Sequence, residues 1–183
     1  MKRLFLGLEF PKELASELEA FIEPYKTHSA LKDAKWIPTE NFHLTLLFLG
    51  EVPDSLVPEV QSLARGVCAK IPKFILQPKR VTLYPEMGKA KIVWTKFERS
   101  LEFQELCSEL LLFLKHTLPD LEVKESIAHL TLARLRKTID GKALTFKPID
   151  FSGFEVTETA LYQSELTPQG SVYTVLERYP HGA

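Results

Sequence analysis

A chain of 183 residues, 45% of them hydrophobic and 26% charged, can bury one sizeable core, and nothing in this composition points to disorder. A formal net charge of -1 excludes a protein that coats nucleic acid through bulk charge, so any nucleic-acid ligand has to be held locally. No apolar run reaches the length of a membrane span, and the apolar start ends at Glu9 without the h-region of a signal peptide; we expect a cytoplasmic protein with no membrane role.

Residues 4–8 read as an opening strand, and Pro11 opens a helix with Leu14, Leu18, Phe21 and Ile22 on one face, ended or kinked by Pro24. A loop and a short extended piece at Trp36-Ile37 lead past Pro38 into the apolar strand Asn41-Phe42-His43-Leu44-Thr45-Leu46-Leu47-Phe48-Leu49-Gly50. Asp54 is the expected N-cap of a helix carrying Leu56, Val60, Leu63, Ala64 and Val67 at helical spacing, with Pro58 harmless in its first turn. Strands follow at 74–76, 81–83 and 92–94, with Glu86-Met87-Gly88 as the turn between the last two. Ser100 caps a helix whose apolar face runs through Phe103, Leu106, Cys107, Leu110, Leu111, Leu114 and Leu118 to a stop at Pro119. The run Ile127-Ala128-His129-Leu130-Thr131-Leu132-Ala133 is the next strand, followed by strands at 146–151, 154–162 and 171–176, the last two joined by a turn at 167–170. Cys68 and Cys107 lie in helical core patterns and read as reduced, packed residues.

The word His-Leu-Thr-Leu occurs twice, at His43 and at His129, in a chain with five histidines. Alternation places His43 and Thr45 on one strand face and Leu44 and Leu46 on the other; His129 and Thr131 behave in the same way. Each word closes the same series of strand, helix, connection and strand, so the chain reads as one domain over residues 1–183 with repeat-like halves at roughly 1–90 and 91–183. The expected fold is α+β and bilobal, with two antiparallel sheets facing a central cleft and the helices outside. His28, His116 and His181 fall at helix ends or the tail and are expected to be solvated.

A single histidine on a strand is ordinary; two in identical words point to a pair that removes one proton and delivers another. In-line displacement at phosphorus needs such a pair on opposite sides, with hydroxyls such as those of Thr45 and Thr131 on the oxygens that gain charge. Arg134 adds a fixed positive charge. It stands five residues past His129, which by strict alternation is the wrong face, so only a bulge or a strand end brings it to a phosphate; a solvated strand-end charge is the alternative. A zinc site at the two histidines would leave Thr where further ligands are needed, and a thiol nucleophile would have to come from a packed helix face. A nucleotide- or RNA-binding module of the same fold without significant turnover is the other alternative.

These residues resemble the 2H phosphoesterases, and within them the RNA 2',3'-cyclic phosphodiesterases, also called LigT-like proteins or 2'-5' RNA ligases. The likeness rests on Arg3-Leu4-Phe5-Leu6-Gly7-Leu8, on Trp36 and the strand from Asn41 to Gly50, on Ile92-Val93-Trp94, and on His129-Leu130-Thr131-Leu132-Ala133-Arg134. It implies pseudo-twofold symmetry and metal-independent, cofactor-free opening of RNA 2',3'-cyclic phosphate ends to 2'-phosphomonoesters, with 2'-5' ligation in reverse. His43 would be the acid, His129 the base, and Thr45, Thr131 and Arg134 would hold the phosphate. The implied partners are RNA with cyclic phosphate ends, tRNA fragments included, or cyclic nucleotides, and we expect a monomer. Tyr84-Pro85 and Lys89-Ala90-Lys91 depart from the family pattern along one edge. Phe48 and Trp94 are candidates to stack on a base, with core packing as the alternative. Lys79, Arg80, Lys89, Lys91, Arg136 and Lys137 are candidates for a basic rim, with solvated surface as the alternative.

Overall fold

A computed structural model describes residues 1–122, 126–168 and 170–182. Its elements in chain order are β1 (Lys2–Glu9), α1 (Lys12–Lys26), β2 (Lys35–Trp36), β3 (His43–Val52), α2 (Val57–Cys68), β4 (Phe74–Leu76), β5 (Pro78–Tyr84), β6 (Lys89–Phe97), α3 (Leu101–Leu114), β7 (His129–Asp140), β8 (Phe154–Val156), β9 (Glu158–Thr167) and β10 (Gly170–Pro180). One antiparallel sheet has the order β10-β9-β1-β3 and a second β2-β7-β6-β5, with a small β4-β8 ribbon beside them. Among the described residues no helix is long and apolar enough to cross a membrane.

The expected α+β architecture holds. β1 pairs antiparallel with β3, and β6 pairs antiparallel with β7, so strand-helix-strand with a hydrogen-bonded return occurs twice, at β1-α1-β3 and β6-α3-β7. β1 is covered on both faces, with Leu4, Leu6 and Leu8 in the main core and Phe5 packed with Tyr162 and Tyr173, so the unbroken apolar run at residues 4–8 is buried throughout. Each sheet draws two strands from residues 1–90 and two from 91–183: β2 joins β7 from across the chain, and β9 and β10 extend β1. A contiguous core runs from Leu4 through the inner faces of the three helices to Tyr179.

α1 buries Leu14, Ala15, Leu18 and Ile22 on one stripe. Pro24 does not end it: the helix continues to Lys26, because a proline in the last turn forfeits a single i to i−4 bond. Asp54 does not cap α2; it begins a short 3-10 turn at Asp54–Leu56, and its carboxylate accepts a 2.8 Å hydrogen bond from the N-terminal ammonium. Ser100 does cap α3, its Oγ accepting from the Phe103 N–H at 3.1 Å. α3 ends at Leu114, short of Leu118 and Pro119.

The expected strand at 146–151 is absent. Its apolar residues pack on α1, with Phe146 4.7 Å from Tyr25 and Phe151 5.9 Å from Phe21 between ring centroids. Two of its backbone groups are bonded by side chains: the Tyr25 hydroxyl accepts from the Lys147 N–H, and the Gln77 amide donates to the Phe151 carbonyl. Such alternation marks a half-buried extended segment, and whether it becomes a strand depends on what lies beside it.

His181 is not a solvated tail residue. It is 6% exposed, its Nε2 is 2.9 Å from the buried Thr159 hydroxyl, and its ring stacks 5.9 Å from Phe74. The C-terminal segment is therefore locked in by a polar pair inside the core. His28 and His116 are exposed, as expected.

Candidate active site

β3 and β7 bring the two His-Leu-Thr-Leu words to one cleft of about 600 Å³, lined by His43, Thr45, His129, Thr131 and Arg134 among others. Among the described residues no Asp or Glu lines it. The intervening leucines Leu44, Leu46, Leu130 and Leu132 are buried on the opposite face, so period-two alternation anchors each word and points its polar residues into the cleft.

The two imidazoles are held in the same way. His43 Nδ1 lies 2.7 Å from the Asn41 carbonyl and His129 Nδ1 lies 2.8 Å from the Ile127 carbonyl, in each case two residues upstream. A carbonyl only accepts, so Nδ1 carries the proton and Nε2 is left for chemistry in the cleft. The backing differs. His43 sits against the aromatic cluster of Phe5 and Tyr173, with ring centroids at 4.9 Å in both cases. His129 packs on Trp94 at 4.9 Å, and Trp94 in turn on Tyr84 at 3.9 Å. Gly7 faces Thr45 across the ladder, and a Cβ there would stand 2.9 Å from the Leu44 carbonyl and 3.4 Å from the Phe5 ring; its bareness admits the aromatic cluster.

Burial lowers the pKa of both histidines below the ordinary imidazole value, against the backbone hydrogen bonds, which raise it. The positive charges of His129 and Arg134 lower His43 further, and Arg134 does the same to His129. An empty cleft therefore favours neutral imidazoles, and an anion entering it favours imidazolium.

Arg134 reaches the cleft through a β-bulge. His129, Leu130 and Thr131 oppose Lys96, Thr95 and Trp94, but Ala133 and Arg134 oppose Val93 and Ile92, so β7 holds one extra residue at Leu132. Leu132 and Ala133 are consecutively buried, and the face is reset at Arg134. β3 repeats the device. Its first register shift leaves Leu46 and Leu47 both buried and returns Phe48, five residues past His43, to the cleft face. Phe48 and Arg134 thus occupy equivalent places in the two words. Phe48 is 59% exposed, a large aromatic surface on the cleft wall, whereas Trp94 is 4% exposed and serves as packing behind His129.

The six residues expected to form a basic rim do not line this cleft; Lys79 pairs with Glu98 at 2.8 Å and Arg80 with Glu86 at 2.7 Å. Residues not singled out from the sequence as site candidates do line it: Arg3 at one end, and Ser164, Ser171 and Tyr173 from the β9-β10 hairpin. Arg3 lay within the opening motif; the hairpin residues carry no local signal. Cys68 and Cys107 are buried, and burial pushes their thiols up to about 11 and about 12, which removes them as nucleophiles.

The profile of the family described as LigT like phosphoesterase matches residues 8–94. The chain is 28% identical to an RNA 2',3'-cyclic phosphodiesterase of Methanocaldococcus jannaschii over 97% of its own length and 99% of that protein. It is 30% identical to the protein of the same name from Thermus thermophilus, over 97% of its own length and 89% of that protein. The crystal structure of E. coli LigT in apo form superposes with a TM-score of 0.81, covering 100% of this chain and 98% of that one at 24% identity.

Proposed function

The chain belongs to the LigT-like phosphoesterase family, and from that premise we propose that it hydrolyses RNA 2',3'-cyclic phosphate ends to 2'-phosphomonoesters by paired-histidine acid-base catalysis. The observation that carries this reading is the pair of imidazoles, each with Nδ1 on its own backbone and Nε2 free, in one cleft without carboxylates among the described residues. The curated relatives named RNA 2',3'-cyclic phosphodiesterase support the substrate class.

In this mechanism His129 Nε2 takes a proton from water as the water oxygen attacks phosphorus. The bond from phosphorus to the 3'-oxygen breaks, and His43, entering as imidazolium, delivers its proton to that oxygen. The product carries a 2'-phosphate and a 3'-hydroxyl; His43 is left neutral and His129 protonated, and exchange with solvent resets both. The Thr45 and Thr131 hydroxyls donate to the non-bridging oxygens, and Arg134 neutralises the charge that grows there. Phe48 offers a stacking surface to the base of the terminal nucleotide. The 5'-hydroxyl of a second RNA in place of water gives a 2'-5' linkage by the same displacement. Two histidines without a third imidazole, a thiolate or a carboxylate among the described lining residues make a poor donor set for a divalent cation, so the reading is metal-independent.

The experiment is incubation with EDTA and, separately, a nucleoside 2',3'-cyclic phosphate and a short RNA ending in one, with the product read by phosphorus NMR. A 2'-phosphomonoester is expected at an undiminished rate. Saturable nucleotide binding without turnover would overturn the reading in favour of a binding module.

A further inference from the structure

Arg3 lies in the same cleft as Arg134, and the two are placed differently along it. Arg134 stands directly past His129 and Thr131. Arg3 lies on β1, where Gly7 faces Thr45, Phe5 faces Phe48, and Arg3 faces Glu51. It is thus four residues from the position opposite Thr45, about 13 Å at 3.3 Å per residue, with Phe48 in between. Arg3 lines the cleft, and its guanidino arm is long enough to cover part of that separation.

Three other surface arginines are neutralised, and Arg99 and Arg136, exposed without an ion pair among the described residues, do not line the cleft. Arg65 pairs with Glu177, Arg80 with Glu86, and Arg178 with Glu9 and Glu158. Arg3 has no carboxylate within ion-pair distance among the described residues, although it is exposed and its ladder partner is Glu51. Ser164 lies beside it, one step past the Leu4–Gln163 pair, and lines the cleft as well. Between Arg3 and the threonines the floor is open: Gly50, at φ 72°, has nothing within 4 Å of where a Cβ would be. A second anion site therefore stands one base-platform away from the first.

Resting on the proposed reaction, we propose that Arg3, with the Ser164 hydroxyl beside it, binds the phosphodiester immediately 5' of the cyclic phosphate nucleotide. The reacting phosphate sits between the His-x-Thr words, the terminal base on Phe48, and the internucleotide phosphate on Arg3. The enzyme then favours an RNA end over a free cyclic nucleotide, and Arg3 is the residue that makes the distinction. This contact is the same in ground and transition states, so it acts on KM and leaves kcat alone.

The test compares a nucleoside 2',3'-cyclic phosphate with the dinucleotide that has the same cyclic end, in wild type and Arg3→Gln. Wild type is expected to prefer the dinucleotide. Arg3→Gln is expected to raise its KM on the order of tenfold, the low end of what a charge-assisted hydrogen bond supplies once solvent screens it, with turnover of the mononucleotide unchanged. The log-log salt slope for the dinucleotide is expected to fall by about 0.7, one phosphate contact on a single strand. A dinucleotide with a neutral methylphosphonate linkage is expected to erase the difference between the two proteins. Equal losses on both substrates, or a methylphosphonate that Arg3→Gln still discriminates against as strongly as wild type does, would overturn the proposal. Failure of wild type to turn over either substrate would instead overturn the reaction on which it rests.

Discussion

Replacing His43 and His129 singly by Asn separates the acid from the base. The Asn amide can still donate to the carbonyl that each Nδ1 now bonds, of Asn41 or of Ile127, so the strand ends stay anchored while Nε2 is lost. A positioned general acid or base contributes about 10²–10⁴-fold, which is about 2.7–5.4 kcal/mol of barrier at 1.36 kcal/mol per decade. Each variant should lose kcat/KM in that range on a nucleoside 2',3'-cyclic phosphate. The two should diverge on an aryl phosphodiester, whose leaving group departs without a proton. His43→Asn is expected to recover most of its loss there and His129→Asn none of it. The pH profile adds a second reading: His43→Asn loses the alkaline limb, where the acid deprotonates, and His129→Asn the acid limb, where the base protonates. Equal losses on both substrates in both variants, or either loss below about tenfold, would refute the assignment.

For the free enzyme, burial lowers both imidazoles, helped by the charge of Arg134, so the kcat/KM optimum is expected below pH 6.5, the ordinary imidazole value, and the kcat optimum above that of kcat/KM once the bound anion favours imidazolium. Arg134→Gln removes charge-assisted hydrogen bonds worth about 1.5–3 kcal/mol and should lower kcat/KM about 10–150-fold, with Arg134→Lys intermediate, as steady-state kinetics will show. Thr159→Val strands His181 Nε2 in the core and should cost about 1–3 kcal/mol, read as a lowered denaturant midpoint at unchanged slope. Burial also lowers His181, so with His43 and His129 the unfolded chain binds more protons below pH 6.5; stability is full above that value and is expected to fall as pH drops through the lowered folded pKa values, measured by denaturant titration across that range.

The residues facing the cleft were legible wherever the signal was local. Period two put His43 with Thr45 and His129 with Thr131 because side-chain direction on a strand depends only on neighbours in sequence. The duplication of that word marked a pair, and flanking leucines fixed which face was core. The helix stripes and the Ser100 cap are local for the same reason. Arg134 and Phe48 were out of reach of that rule. Each returns to the cleft through one extra residue in its strand, and a bulge is a mismatch with a partner strand far away in the chain, so nothing at Leu46 or Leu132 alone announces it.

Composition, the repeated word and its alternation by themselves determined the α+β class, the two histidine strands and the polar face they share. Tertiary structure alone decided what surrounds that face. The pairing of β9 with β1 and of β10 with β9 delivers Ser164, Ser171 and Tyr173, and β2 crosses from the first half of the chain to edge the second sheet. It also buried His181 against Thr159 and left residues 146–151 without a strand neighbour. The physical reason is the same throughout: backbone conformation and side-chain direction are set over a few residues, whereas register, burial and ladder partners are set by segments that meet only when the chain has folded.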